Sequence, residues 1–218
     1  MDQALFHLIN ERWTSPALDL FMAAISNIEI WKPLLAVLVL YALIFCGFKG
    51  RAFVFCVLMT LIVSDTFVVR PLKSIINRRR PKQVQPVRMV VLAKARPEFM
   101  TLFKPTAVRY SDETDHTKSG PSFPSGHVSD NVVIAAVCLL FFRRWGWLYL
   151  IVAGSVSYSR IYLGAHWPSD VVATVFMAAG ETFLLVALWE FLWRRAGPRW
   201  APQFYARHPS LIDHAATP

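Results

Sequence analysis

Residues 122–142 read SFPSGHVSDNVVIAAVCLLFF, with a proline, a serine, a glycine and a histidine set directly before an apolar run. The run approaches the length that crosses a bilayer, for which about 17 residues is the lower limit. The residues before it suit a turn and a helix start, with Ser125 as a candidate cap. The backbone amides around Gly126 would meet an anion there. A histidine and an anion cradle at the mouth of a membrane-length helix call for a chemical explanation.

Composition agrees with a membrane setting. Of 218 residues, 55% are hydrophobic and only 17% charged, where a soluble domain carries about a quarter charged residues. One helical bundle fits this length, with little room for a second domain. The formal net charge of +9 suits anionic lipid or a phosphorylated substrate. It does not suit nucleic acid, because the basic residues are scattered among apolar stretches instead of lining one soluble face. The opening MDQALFHLIN has no basic region and no small-residue cleavage site, so no removable signal peptide is expected. Cys46, Cys56 and Cys138 lie in apolar runs without metal or disulfide spacing and read as packing residues.

Five segments approach or reach spanning length: 31–48, 52–72, 127–142, 145–163 and 168–193. Before them, residues 3–13 place Leu5, Leu8, Ile9 and Trp13 on one helical face, as an interfacial helix would. Ser15 can cap a helix that starts at Pro16. Residues 16–30 either half-insert or form a first span. The expected fold is an all-α integral-membrane bundle of five to six transmembrane helices with its site at one membrane face. Residues 1–30 form an N-terminal interfacial part and 31–193 the membrane domain, which includes an extramembrane loop over 81–123. Residues 194–218 form a polar tail expected to hang in water.

Two further clusters accompany Pro124 to His127. One is KSIINRRRP, Lys73 to Pro81; the other is SRIYLGAHWPSD, Ser159 to Asp170. In the latter, His166 and Asp170 stand four residues apart, so a carboxylate could hold one imidazole nitrogen while the other faces a substrate. Taken singly, each cluster also reads as a basic membrane flank or a helix start. Topology separates the two readings. Span 52–72 ends on the side from which 127–142 starts, 145–163 returns there, and the last span begins there. All three clusters therefore meet at one face.

Together, Lys73, Arg80 and Pro81, then Pro124 to His127, then Ser159, Arg160, His166 and Asp170 resemble the three-part signature of the type 2 phosphatidic acid phosphatase superfamily, with every position filled in order. The resemblance covers about residues 52–193. It implies a metal-free and cofactor-free phosphatase in which Lys73, Arg80 and Arg160 bind the phosphate with Ser125 and the amide of Gly126. His166 would be the nucleophile and form a phosphohistidine, Asp170 would fix its tautomer, and His127 would protonate the leaving oxygen. The implied substrate is a lipid phosphate, first an isoprenyl diphosphate such as undecaprenyl diphosphate. Phosphatidylglycerol phosphate, phosphatidic acid and lipid A phosphate are alternatives, as are a lipid phosphotransferase and, in another class, a non-catalytic lipid carrier. Arg78 and Arg79 read either as contacts for a second phosphate or as lipid-headgroup contacts.

Asp65 and Glu181 lie within spans, where bonding to a neighbouring helix, or pairing of Asp65 with Arg70, outweighs a catalytic role. His7, His116, His208 and His214 fit no motif and read as solvated or interfacial. The eight tryptophans read as interface anchors. Lys49 with Arg51, Arg143 with Arg144, and Arg194 with Arg195 flank the face opposite the site and suit the cytoplasm. The site would then face the periplasm or exterior of a bacterial inner membrane.

Overall fold

The computed structural model describes residues 1–112, 114–115 and 120–212; His116 and His214 lie outside the described residues. The protein is mostly helical. Helix α1 (Asp2–His7) widens into a π turn, Leu8–Arg12, and is followed by α2 (Pro16–Ile25). Ser15 caps α2 through the Leu18 N–H at 3.3 Å, with Pro16 in the first helical position. Asn27 caps α3 (Ile28–Phe45) through the Glu29 N–H at 3.1 Å. The chain then reverses at Gly47, whose φ of 57° a β-carbon would oppose. Helix α4 (Gly47–Val63) passes through a second π turn, Ser64–Val69, into α5 (Arg70–Ile76). Asn77 ends α5 in the left-handed conformation, φ 44°, and turns the arginine run away from the helix axis.

After the four-residue helix α6 (Pro81–Val84) comes the long connection, and then α7 (Gly126–Phe141), α8 (Leu148–Tyr162), α9 (Pro168–Trp200) and α10 (Pro202–Arg207). Helix α7 sits centrally against α4, α8 and α9. Three stretches, Ile28–Phe45, Gly47–Val84 and Pro168–Trp200, are long and apolar enough to cross a membrane. Helices α7 and α8 occupy the other expected places but have 16 and 15 residues. Leu38, Ile44, Phe176 and Leu184 are all more than half exposed on the outer surface, which is how a bundle meets lipid rather than water.

Three features differ from the sequence expectation. The 81–123 connection is not wholly irregular, and the fold is not purely helical. Strands β1 (Arg88–Val91) and β2 (Ala107–Tyr110) pair antiparallel, Arg88 opposite Tyr110. Four-residue strands are too short for their alternation to stand out in a sequence. Second, the N-terminal helix buries Phe6, Ile9 and Asn10 in the bundle, whereas Leu5 and Trp13 are exposed. Third, residues 194–212 do not hang free. Helix α9 continues to Trp200, Trp193 Nε1 donates to the His208 carbonyl at 2.9 Å, and Leu211 is buried.

The core has two parts. Phe6, Val87, Val128, Tyr162 and Trp167 cluster at one end, and Cys56, Val137, Phe141, Val186 and Leu211 toward the other. Arg88 and Asp19 make a two-pronged pair at 2.9 and 2.6 Å, which fastens β1 to α2. Tyr162 Oη adds a bond to Asp19 at 2.6 Å.

Candidate active site

The end of α5 and the starts of α7 and α9 lie at the same end of the bundle, and they bring the three clusters together. His166 is 2% exposed and Asp170 fully buried. The turn that carries His166 is built by Gly164, at φ 70°, with the Ala165 and His166 amides both donating to the Arg160 carbonyl at 3.0 and 3.1 Å. A β-carbon on Gly164 would lie 2.8 Å from Val87 Cγ2, so both conformation and space demand glycine there.

His166 Nδ1 faces the Ser122 carbonyl oxygen at 2.6 Å. A carbonyl only accepts, so Nδ1 carries the proton and Nε2 keeps its lone pair. The sequence expectation that Asp170 itself holds the imidazole is corrected here. Asp170 Oδ2 accepts from the Ser122 hydroxyl and, at 3.3 Å, from the Trp167 N–H; its Oδ1 accepts from Arg78 Nη1 at 2.6 Å. Asp170 occupies the first turn of α9, where capping the Trp167 amide turns its carboxylate toward Ser122 and Arg78. Its link to His166 runs through Ser122.

The cations converge on the histidines. The positive charges of Arg80, Arg160 and Lys73 act on both His166 and His127. Arg80 is held by the Gly120 carbonyl at 2.8 Å, and Arg160 by the Ser26 hydroxyl. Lys73 Nζ lies 3.8 Å from the position a β-carbon would take on Gly126. Burial first, then the field of Arg80, Arg160 and Lys73, holds the His166 imidazole well below its usual range and keeps it neutral.

Ser125 does not cap α7 with its side chain. Its amide donates to Thr174 Oγ1 at 3.1 Å, and Thr174 in turn donates to the Asp170 carbonyl at 2.6 Å. Ser125 Oγ and Arg160 Nε are buried without a partner among the described residues. Two such donors beside the first-turn amides of α7, which have no intrahelical acceptors, are chemically suited to an oxyanion. His127, in that same first turn, is exposed.

Arg78, read from the sequence as a contact for either a second phosphate or a lipid headgroup, is engaged by protein groups instead. Beyond Asn77 its guanidinium reaches Asp170, Ser169 at 2.8 Å and, at 2.7 Å, Asp2. Arg79 is exposed, and its carbonyl accepts from Trp167 Nε1 at 2.9 Å. Trp167 is thus a buried site residue and no interface anchor. Asp65 pairs with Arg70 at 2.6 Å and Glu181 accepts from Ser64 Oγ, both in structural roles. His208 is stacked on Phe48 at 4.3 Å rather than solvated. Ser122, Thr174 and Asp2 are site residues that sequence reasoning missed. Ser122 alone carried a signal, its place two residues before Pro124.

Residues 51–196 match the family model of the PAP2 superfamily. The chain is 29% identical over 187 residues to an undecaprenyl-diphosphatase of Sulfolobus acidocaldarius, covering 84% of this chain and 76% of that one. It is also 29% identical over 163 residues to a lipid A 4'-phosphatase of Bacteroides thetaiotaomicron, covering 73% and 64% respectively. The crystal structure of Aquifex aeolicus LpxE superposes with a TM-score of 0.58 at 22% identity, over 85% of this chain and 94% of that chain, a likeness of fold.

Proposed function

Because this chain belongs to the PAP2 superfamily, we propose that it is a membrane lipid phosphatase, with an isoprenyl diphosphate as its first substrate. The observation that carries the reading is His166, neutral and donating Nδ1–H to a carbonyl, with Nε2 free of a partner among the described residues and Lys73, Arg80 and Arg160 acting on it. A phosphate ester repels nucleophiles through its negative oxygens, and three cations with buried donors offset that repulsion. Nε2 attacks phosphorus, the bond to the leaving oxygen breaks, and His127 supplies that oxygen with a proton. Water then cleaves the phosphohistidine, and phosphate leaves.

In this reading α3, α4 with α5, α7, α8 and α9 span the bilayer and α2 half-inserts, so that a lipid presents its phosphate near one interface. The site faces the periplasm or exterior of an inner membrane, since paired basic residues flank the opposite face. The preference for a diphosphate rests on the relatives, because Arg78 is bound to carboxylates. Lipid A phosphate is the second reading, favoured by the similarity to the Bacteroides enzyme. Phosphate release by the purified protein from undecaprenyl diphosphate, lipid A, phosphatidylglycerol phosphate and phosphatidic acid, with and without chelator, tests the proposal. Release from undecaprenyl diphosphate, undiminished by chelator, is expected. Release from none of the four would refute it.

A further inference from the structure

Three carboxylate and guanidinium groups from distant parts of the chain meet behind His166. Asp2, the first residue of α1, accepts from the Ser169 N–H at 2.9 Å and from the Ser169 hydroxyl at 2.6 Å. Its Oδ2 also accepts from Arg78 Nη2 at 2.7 Å. The other prong of Arg78 donates to Asp170 at 2.6 Å. The Arg78 main chain joins in, since its carbonyl accepts from the Ser122 N–H at 2.7 Å. Arg78 therefore touches both groups that settle His166: the main chain of Ser122, held through its N–H while its carbonyl receives Nδ1–H, and the carboxylate of Asp170.

The surroundings make this a braced arrangement. Phe6 is fully buried with its ring centroid 5.3 Å from Trp167, and the Arg78 guanidinium lies 6.0 Å from the Trp167 ring. Asn10, also fully buried, donates to the Tyr162 and Arg88 carbonyls at 2.7 and 2.9 Å and accepts from the Arg88 N–H at 3.1 Å. The segment that begins with Asp2 is thus wedged against both sides of the turn that carries His166. A freely rotating arginine next to Asp170 would be a poor orienter; one fixed at both prongs by carboxylates has a single geometry.

We propose that Asp2 and Arg78 are positioning residues of the catalytic centre, a clamp that sets Asp170 and Ser122 and through them the attacking nitrogen of His166. The proposal rests on the phosphatase reading for its kinetic consequence, and on geometry alone for its structural one. Lys73, Arg80 and Arg160 act directly on His166; Asp170 and Arg78 stand behind Ser122, with Asp2 beyond Arg78. Removing Arg78 leaves the Asp170 carboxylate uncompensated and favours protonated His166. Removing the charge of Asp2 does the opposite.

The test uses the full chain in detergent, with Asp2→Asn, Arg78→Gln and the double variant, and with Arg78→Lys in reserve should Arg78→Gln not fold. Each single variant is expected to lower kcat on the best lipid phosphate by about tenfold with KM little changed, as loss of nucleophile alignment does. The double variant should be no worse than Arg78→Gln. The acid limb of the pH profile should move up in Arg78→Gln and down in Asp2→Asn, by about half a pH unit each. A raised KM with unchanged kcat would instead make Arg78 a phosphate ligand and overturn the proposal, as would wild-type kinetics or additive losses. Hydrogen exchange of residues 120–126 and 164–171 is measured on the same samples. Faster exchange in Asp2→Asn supports the clamp even if wild type releases no phosphate; unchanged exchange overturns it whatever the activity.

Discussion

The two ends of the bundle are built from different forces. At the site end, polar groups pair with directional bonds: Asp2, Arg78, Asp170 and Ser122 in one chain, and Asp19 with Arg88 and Tyr162 in another. At the far end, Phe48 packs against Trp193 at 5.8 Å, Phe204 at 5.4 Å and His208 at 4.3 Å. Beside them lies an apolar cleft of about 540 Å³, lined among others by Phe55, Trp189 and Leu211. Directional bonds fix atoms to fractions of an ångström and are intolerant of substitution, because each lost partner leaves a buried polar group unsatisfied. Rings in contact hold a shape while tolerating exchange of one apolar group for another. The candidate site lies where directional bonds dominate, and the far end rests mainly on ring contacts, to which Glu190 and Trp193 add bonds to the Leu211 N–H and the His208 carbonyl.

Substitutions can break or sharpen that contrast. The largest effect is expected for His166→Ala, which should lower phosphate release at least 10³-fold while thermal unfolding in detergent stays near wild type; substantial residual turnover would remove the nucleophile from His166. Next comes Ser122→Ala, which leaves the carbonyl that holds Nδ1 but deletes the hydroxyl link to Asp170. A kcat loss of about tenfold is expected, and an unchanged kcat would show that Asp170 acts without Ser122. At the far end, Phe48→Ala should cost about 2 kcal/mol of stability with kcat per folded molecule unchanged. A kcat loss there would mean that the two ends are mechanically coupled.

Much of the site was legible because its chemistry is local in sequence. Lys73 and Arg80, Pro124 to His127, and Arg160 with His166 and Asp170 keep strict spacings, and the alternation of spans brings them to one face. The signature singled out Arg80 from its basic run, but nothing in the sequence showed where Arg78 would go. Both are arginines in one basic run, yet the left-handed Asn77 sends Arg78 to Asp170 while Arg80 comes near Lys73 and Arg160. Asp2 was invisible for a different reason: its partners are tertiary, and no periodicity relates it to Ser169. The docked tail was missed because Arg194 to Trp200 reads as polar by composition, while the carboxylate of Glu190 and the ring of Trp193 give it places to bond.

The bond between Asp2 and Ser169 also has a bearing on how the protein is made. It spans 167 residues of chain, and synthesis proceeds at about 5–20 residues per second. Asp2 thus leaves the ribosome on the order of 10–30 s before the residue it must grip. Until the last long helix enters the membrane, the turn that holds His166 has neither its helix nor its brace. The ordering of translation therefore leaves the candidate site without its brace until late, and the site comes together as a closing event of assembly.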